Sequence, residues 1–254
     1  MRLPRRLGHD ESAGLVEHLG ELRARLVVSL VALAAGFAVG YLFHHELIGW
    51  LNEPLPAHRE PVTFGIAEPF MISLKVSLVA GFAIALPVIL WQFWSFLAPA
   101  MRQGTGRSIT WFVAFASLLF AIGVSFSHQV ALPAAIRFLT NYDSELYDIQ
   151  IRATSYYSFA LFSLLAVGLV FELPVFILGL VRFGVLTARK LRSHRRVGYV
   201  TMAVLAVALP GVDPITTLFE MVPLMLLFEG SIWLAVVFER RWHPELHAVS
   251  PGNV

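Results

Sequence analysis

The chain contains no cysteine. That excludes disulfides, thiolate nucleophiles, iron–sulfur clusters and cysteine-ligated zinc, and says nothing about compartment. Charge is scarce as well: 14% of residues are Asp, Glu, Lys or Arg, where soluble domains carry about a quarter. A net charge of only +2 gives nucleic-acid binding no electrostatic footing. The spaced signatures of chemistry are missing too. No H-E-x-x-H, G-x-S-x-G or P-loop pattern occurs, and the nine His residues are scattered through loops and tails. An enzyme, a metal site and a cofactor are therefore not expected, and His44 and His45 read as polar residues at an interface.

What the chain has in abundance is apolar length. It is 57% hydrophobic with a mean hydropathy of +0.70, which predicts an all-α polytopic membrane protein. With 254 residues and only short polar breaks, there is room for about six spans and no separate soluble domain. The stretch 70–97 sets the pattern. Its 28 residues carry one charge, Lys75, and as a helix rise about 42 Å against a hydrocarbon core of about 30 Å. Lys75 can snorkel outward. Pro87 predicts a bend inside a packed bundle, and Trp91 and Trp94 read as an interfacial aromatic belt.

The single membrane domain, 1–254, divides into a cytoplasmic amphipathic segment (1–25), a six-span bundle (26–238) and a cytoplasmic tail (239–254). In the first segment Leu15, Val16, Leu19, Leu22 and Leu26 follow a helical spacing. Arg2, Arg5 and Arg6 ahead of the Ala32–Leu33–Ala34 triplet imitate a cleavable leader. The apolar run starts only at Leu26, however, and holds that triplet in its middle, so it reads as an uncleaved span. The spans are expected at 26–43, 70–97, 108–130, 156–181, 197–209 and 216–238. The proline-rich loop 44–69 forms short turns, the loop 131–155 is acidic, and the tail from Glu239 is polar and disordered. The fifth run reaches only about 20 Å, so it either crosses a thinned membrane or stops partway. If the N-terminus is cytoplasmic, 15 of the 19 Lys and Arg residues fall inside, which supports both termini inside. Spans two and four echo each other at an offset of 87 in Gly81/Gly168, Leu86/Leu173, Pro87/Pro174 and Val88/Val175. A parallel repeat and two independent proline-bent helices both account for this, the second more simply.

Ionisable residues in such a chain are the candidates for function. Glu172 lies mid-span, where a charge costs a few kcal/mol, so it faces a bundle interior or wet cavity, or satisfies a carbonyl freed by Pro174. Glu220 and Glu229, nine residues apart, serve different surfaces, as partner contacts or as packing and hydrogen-bonding groups. Glu17 and Glu21 share one helix face and suit a guanidinium ligand, unless they pair within the helix to Arg23 or Arg25.

The segments HLGELRARL at 18–26, the loop with Pro54, LPVILWQFWSFLAPAM, FELPV at 171–175 and the Asp213–Pro214 turn stand in an order and spacing that resembles the TatC family. The resemblance covers roughly residues 15–238. It implies a six-helix cupped bundle in a prokaryotic cytoplasmic membrane with both termini inside. Such a protein recognises twin-arginine signal peptides and recruits single-span TatA- and TatB-type partners. Folded proteins are then exported on the proton-motive force. It further implies contacts with membrane lipids and a homo- or hetero-oligomer.

The resemblance assigns Glu21 to receiving the signal's arginines, with Arg23 in the adjacent motif position. Pro54 becomes a structural proline, Glu172 the intramembrane acid of span four, and Asp213 the acid of the last outer turn. Two positions depart from the pattern: Thr105 stands where the family carries a second signal-binding acid, and Thr217 where a Gln is usual. Glu17, one turn before Glu21, is a candidate for the missing carboxylate. A diverged paralogue with weakened signal binding and a proton-coupled transporter using Glu172 are the alternatives.

Overall fold

A computed structural model describes residues 15–56, 60–97, 106–147, 149–210 and 214–242, the side chains of 15–18, 106–108 and 240–242 excepted. The secondary structure is helical, in the order α1 (Leu15–Leu42), α2 (His44–Asn52), α3 (Glu68–Leu97), α4 (Gly106–Phe126), a π-helical turn (Ser127–Ala131), α5 (Leu132–Asn141), α6 (Ala153–Phe171), α7 (Leu173–Arg182), α8 (Ala188–Ser193), α9 (Arg195–Ala208) and α10 (Pro214–Trp242). Among the described residues one isolated bridge, Val62 to Arg152, joins two loops. Among the described residues five stretches are long and apolar enough to cross a bilayer: Leu19–Leu42, Glu68–Leu97, Ile109–Asn141, Ala153–Arg182 and Pro214–Glu239. The remaining expected span, the fifth in chain order, is α9. At 14 residues it rises about 21 Å, short of the roughly 30 Å hydrocarbon core.

Three expectations need correction. Helical structure after the third span does not stop at residue 130 but continues to Asn141. Pro133 sits at the start of α5, where its missing donor costs least, and the π-helical turn before it absorbs the change in register. Leu132, Ala135 and Ile136 then continue a buried face. Glu239 is not part of a disordered tail: it lies inside α10, is buried, and accepts the Ala188 N–H at 2.8 Å. Trp94 is not an interfacial anchor. It continues the buried face Ile72, Val76, Gly81, Leu86, Leu90 of α3 and packs on Phe112 with ring centroids 5.0 Å apart.

The chain divides into two compact units. The first, residues 1–118 and 143–165, is held by α1 against α3. A Cβ on Gly36 would lie 2.4 Å from the Gly81 carbonyl oxygen, and one on Gly40 would lie 2.7 Å from that of Ser77. Small residues four apart on both helices thus let the backbones touch. Between apolar helices in lipid, dispersion and close packing replace the hydrophobic drive. The segments linking α2 to α3 and α5 to α6 are pinned by polar contacts in this unit. Tyr156 donates to the Leu51 carbonyl, Tyr157 to Asn52 Oδ1 at 2.8 Å, and Arg152 to Glu68 Oε1 at 2.5 Å. Lys75 donates to Ser158 at 3.0 Å.

The second unit, residues 119–142 and 166–254, has a core of Val167, Phe171, Met202, Ala206, Leu209, Leu224, Phe228 and Ile232, with α10 packed on α7 and α9. Here Gly123 and Gly168 make a similar close approach, a Cβ on Gly123 falling 3.0 Å from Gly168 Cα. Gly36 and Gly81 of the first unit recur 87 residues later as this pair, so the offset relates both partners of a crossing.

Candidate functional site

The polar end of α1 carries the first site. Two turns of helix before the apolar run place Glu21 and Arg25 on one face, because residues four apart are stacked neighbours. Glu21 Oε1 accepts from Arg25 Nε at 3.0 Å and from Nη2 at 2.5 Å. Both side chains are about four-fifths sheltered. A third bond leaves the helix: Arg25 Nη1 donates to Gln92 Oε1 of α3 at 3.4 Å. The intrahelical pairing weighed for Glu21 is therefore present. Charge-assisted and forked, it is the kind of contact a planar guanidinium makes best. Arg23 is exposed on the opposite side of the turn. Glu17 lies in α1, but its side chain is outside the described residues, as are Thr105 and Asp213. Pro54 is half-buried in the turn following α2.

The second group lies in the other unit. Pro174 cannot supply the backbone donor a continuous helix needs, and the helix breaks two residues earlier at Glu172. The break does not turn the side chain outward. Glu172 is 1% exposed, and among the described residues neither carboxylate oxygen has a hydrogen-bond partner. Glu220, on α10, is equally buried. Glu229 is half-buried, takes the Tyr199 hydroxyl as donor, and lies 3.1 Å from Arg195 Nη2.

Gln92, Tyr199 and Glu239 were not singled out from sequence. Gln92 offered one signal, an amide in an otherwise apolar stretch. Its contact with Arg25, 67 positions away, depends on the α1–α3 packing.

Residues 17–223 match the family model described as Sec-independent protein translocase protein (TatC). The chain belongs to the TatC family. The TatC proteins of Carboxydothermus hydrogenoformans and Aquifex aeolicus are 33% and 34% identical to it, each over 89% of this chain, and over 94% and 96% of their own lengths. A crystal structure of the twin-arginine translocase receptor TatC in the detergent DDM superposes with a TM-score of 0.75. It is 34% identical, over 86% of this chain and 99% of that one. As a TatC protein the chain is a multi-pass component of Sec-independent protein translocation in the cytoplasmic membrane, and not an enzyme.

Proposed function

We propose that this TatC protein is the receptor subunit of twin-arginine translocation, that Glu21 binds an arginine of the signal peptide, and that both termini face the cytoplasm. The observation that carries the receptor assignment is Glu21 itself. It is a sheltered carboxylate at the polar end of the first span, held in forked contact with a guanidinium. Arg23 borders the seat. Glu17, one helical turn before Glu21 in α1, contributes charge where Thr105 provides none. Glu172 is the polar contact for a helix inserting within the membrane, because a buried carboxyl group with unused oxygens costs free energy that a polar partner recovers. Pro54 and Asp213 shape the outer turns, and Glu220 and Glu229 hold α10. Single-span TatA- and TatB-type subunits are the partners, and the proton-motive force drives export.

The deciding experiment is binding of Arg-Arg and Lys-Lys signal peptides to the detergent-purified protein and to Glu21→Gln. Preference for Arg-Arg that disappears in Glu21→Gln supports the assignment. Equal, weak binding of both peptides at either genotype overturns it in favour of a diverged paralogue.

A further inference from the structure

The seat at Glu21 is already taken, and what holds it shows what it accepts. Arg25 presents three donors: two to Glu21 Oε1, at 3.0 and 2.5 Å, and one to Gln92 Oε1, at 3.4 Å. The acceptors come from two helices that pack along their length. One is charged and one is neutral, and together they converge on a single planar cation. A lysine ammonium on its flexible stem does not reproduce that fork.

We infer that Glu21 and Gln92 form a ready-made guanidinium site, that Arg25 is its resident occupant, and that a signal arginine enters by exchange with Arg25. Gln92 is then the second acceptor of the receptor, in the role that an acid would otherwise fill near residue 105. This rests on the receptor reading of Glu21 and adds to it a specificity-determining residue and a competitor. Exchange is feasible because one charge-assisted pair is replaced by another of the same kind, so the sheltered Glu21 carboxylate is not left without a cation. No backbone rearrangement is needed, since Arg25 only releases its side chain. The incoming guanidinium restores each hydrogen bond that Arg25 gives up.

Two consequences differ in sign. A resident competitor lowers the apparent affinity of every ligand by the fraction of time the seat is open. Arg25→Gln therefore tightens Arg-Arg peptide binding, by roughly threefold to tenfold, and leaves the Arg-Arg to Lys-Lys ratio unchanged. Loss of an acceptor acts on the fork itself. Gln92→Leu weakens Arg-Arg binding by roughly fivefold to tenfold and lowers the ratio, whereas Gln92→Glu restores both.

The test measures binding of fluorescent Arg-Arg and Lys-Lys signal peptides to the full-length protein in detergent, in wild type, Glu21→Gln, Arg25→Gln, Gln92→Leu and Gln92→Glu. Tighter binding in Arg25→Gln, with a lowered ratio in Gln92→Leu and rescue in Gln92→Glu, supports the inference. If Glu21→Gln abolishes Arg-Arg preference while Arg25→Gln and Gln92→Leu change nothing, the receptor reading stands and the exchange site falls. Weaker binding in Arg25→Gln makes that arginine a mere organiser of Glu21 and overturns the exchange. An unaltered Glu21→Gln removes both readings together.

Discussion

Glu172 combines near-complete burial with two carboxylate oxygens that have no hydrogen-bond partner among the described residues. Burying a polar group without a partner costs about 1–3 kcal/mol on mutational scales, and a fold that keeps such a group gains nothing from it in isolation. Glu172→Leu is therefore expected to leave thermal stability in detergent unchanged or higher, while export of a folded reporter falls. Glu172→Gln, which keeps a polar tip, should retain part of the export. A large fall in melting temperature for Glu172→Leu would show instead that the carboxyl group holds the break before Pro174. Glu172 was legible in the sequence because an ionisable residue inside an apolar run needs no structural context to be noticed. Gln92 was not legible as a partner of Arg25: an amide near a span's end is unremarkable until the opposite helix is known. The bond from Ala188 N–H to Glu239 likewise joins residues 51 positions apart.

Helices α1 and α3 meet through glycine, and the geometry sorts glycines that tolerate a methyl group from those that do not. A Cβ on Gly81 would lie 2.5 Å from Phe37 N, against backbone that cannot move aside alone. Gly81→Ala is expected to cost about 1–3 kcal/mol, as overpacking does. Gly49, in α2, meets nothing within 4 Å. Gly49→Ala should stabilise by about 0.4–1 kcal/mol, through the lower entropy of the unfolded chain and better helix propensity. Thermal unfolding of the two variants in one detergent checks both signs, and a stabilised Gly81→Ala would refute the close crossing. The cores of the long spans were visible as apolar runs. The ends were less so, since nothing in the run 108–130 announces that helix persists to Asn141 through a π-helical turn. The echo at offset 87 was visible as four ordinary matches. Its physical content, a glycine crossing present in each unit, needed the partners Gly36 and Gly123.

At the scale of the whole molecule, the proposal that both termini lie in the cytoplasm rests on the distribution of Lys and Arg, and the absence of cysteine makes it simple to check. A membrane-impermeant thiol reagent applied to intact cells should label Glu60→Cys and spare Ser250→Cys until the membrane is opened. Labelling of Ser250→Cys from outside would reverse the tail's assignment. The sequence by itself determined that the chain is a polytopic helical membrane protein of the TatC family, and where its rare ionisable residues fall. That follows because the requirement imposed by hydrocarbon is local: about 20 apolar residues with every backbone group bonded within the segment. Only the tertiary structure decided which face of each span is buried, that Trp94 points into the protein, and that Arg25 lies between Glu21 and Gln92. Lipid and protein interior are equally apolar, so the two faces of a span look alike in composition, and packing geometry alone tells them apart.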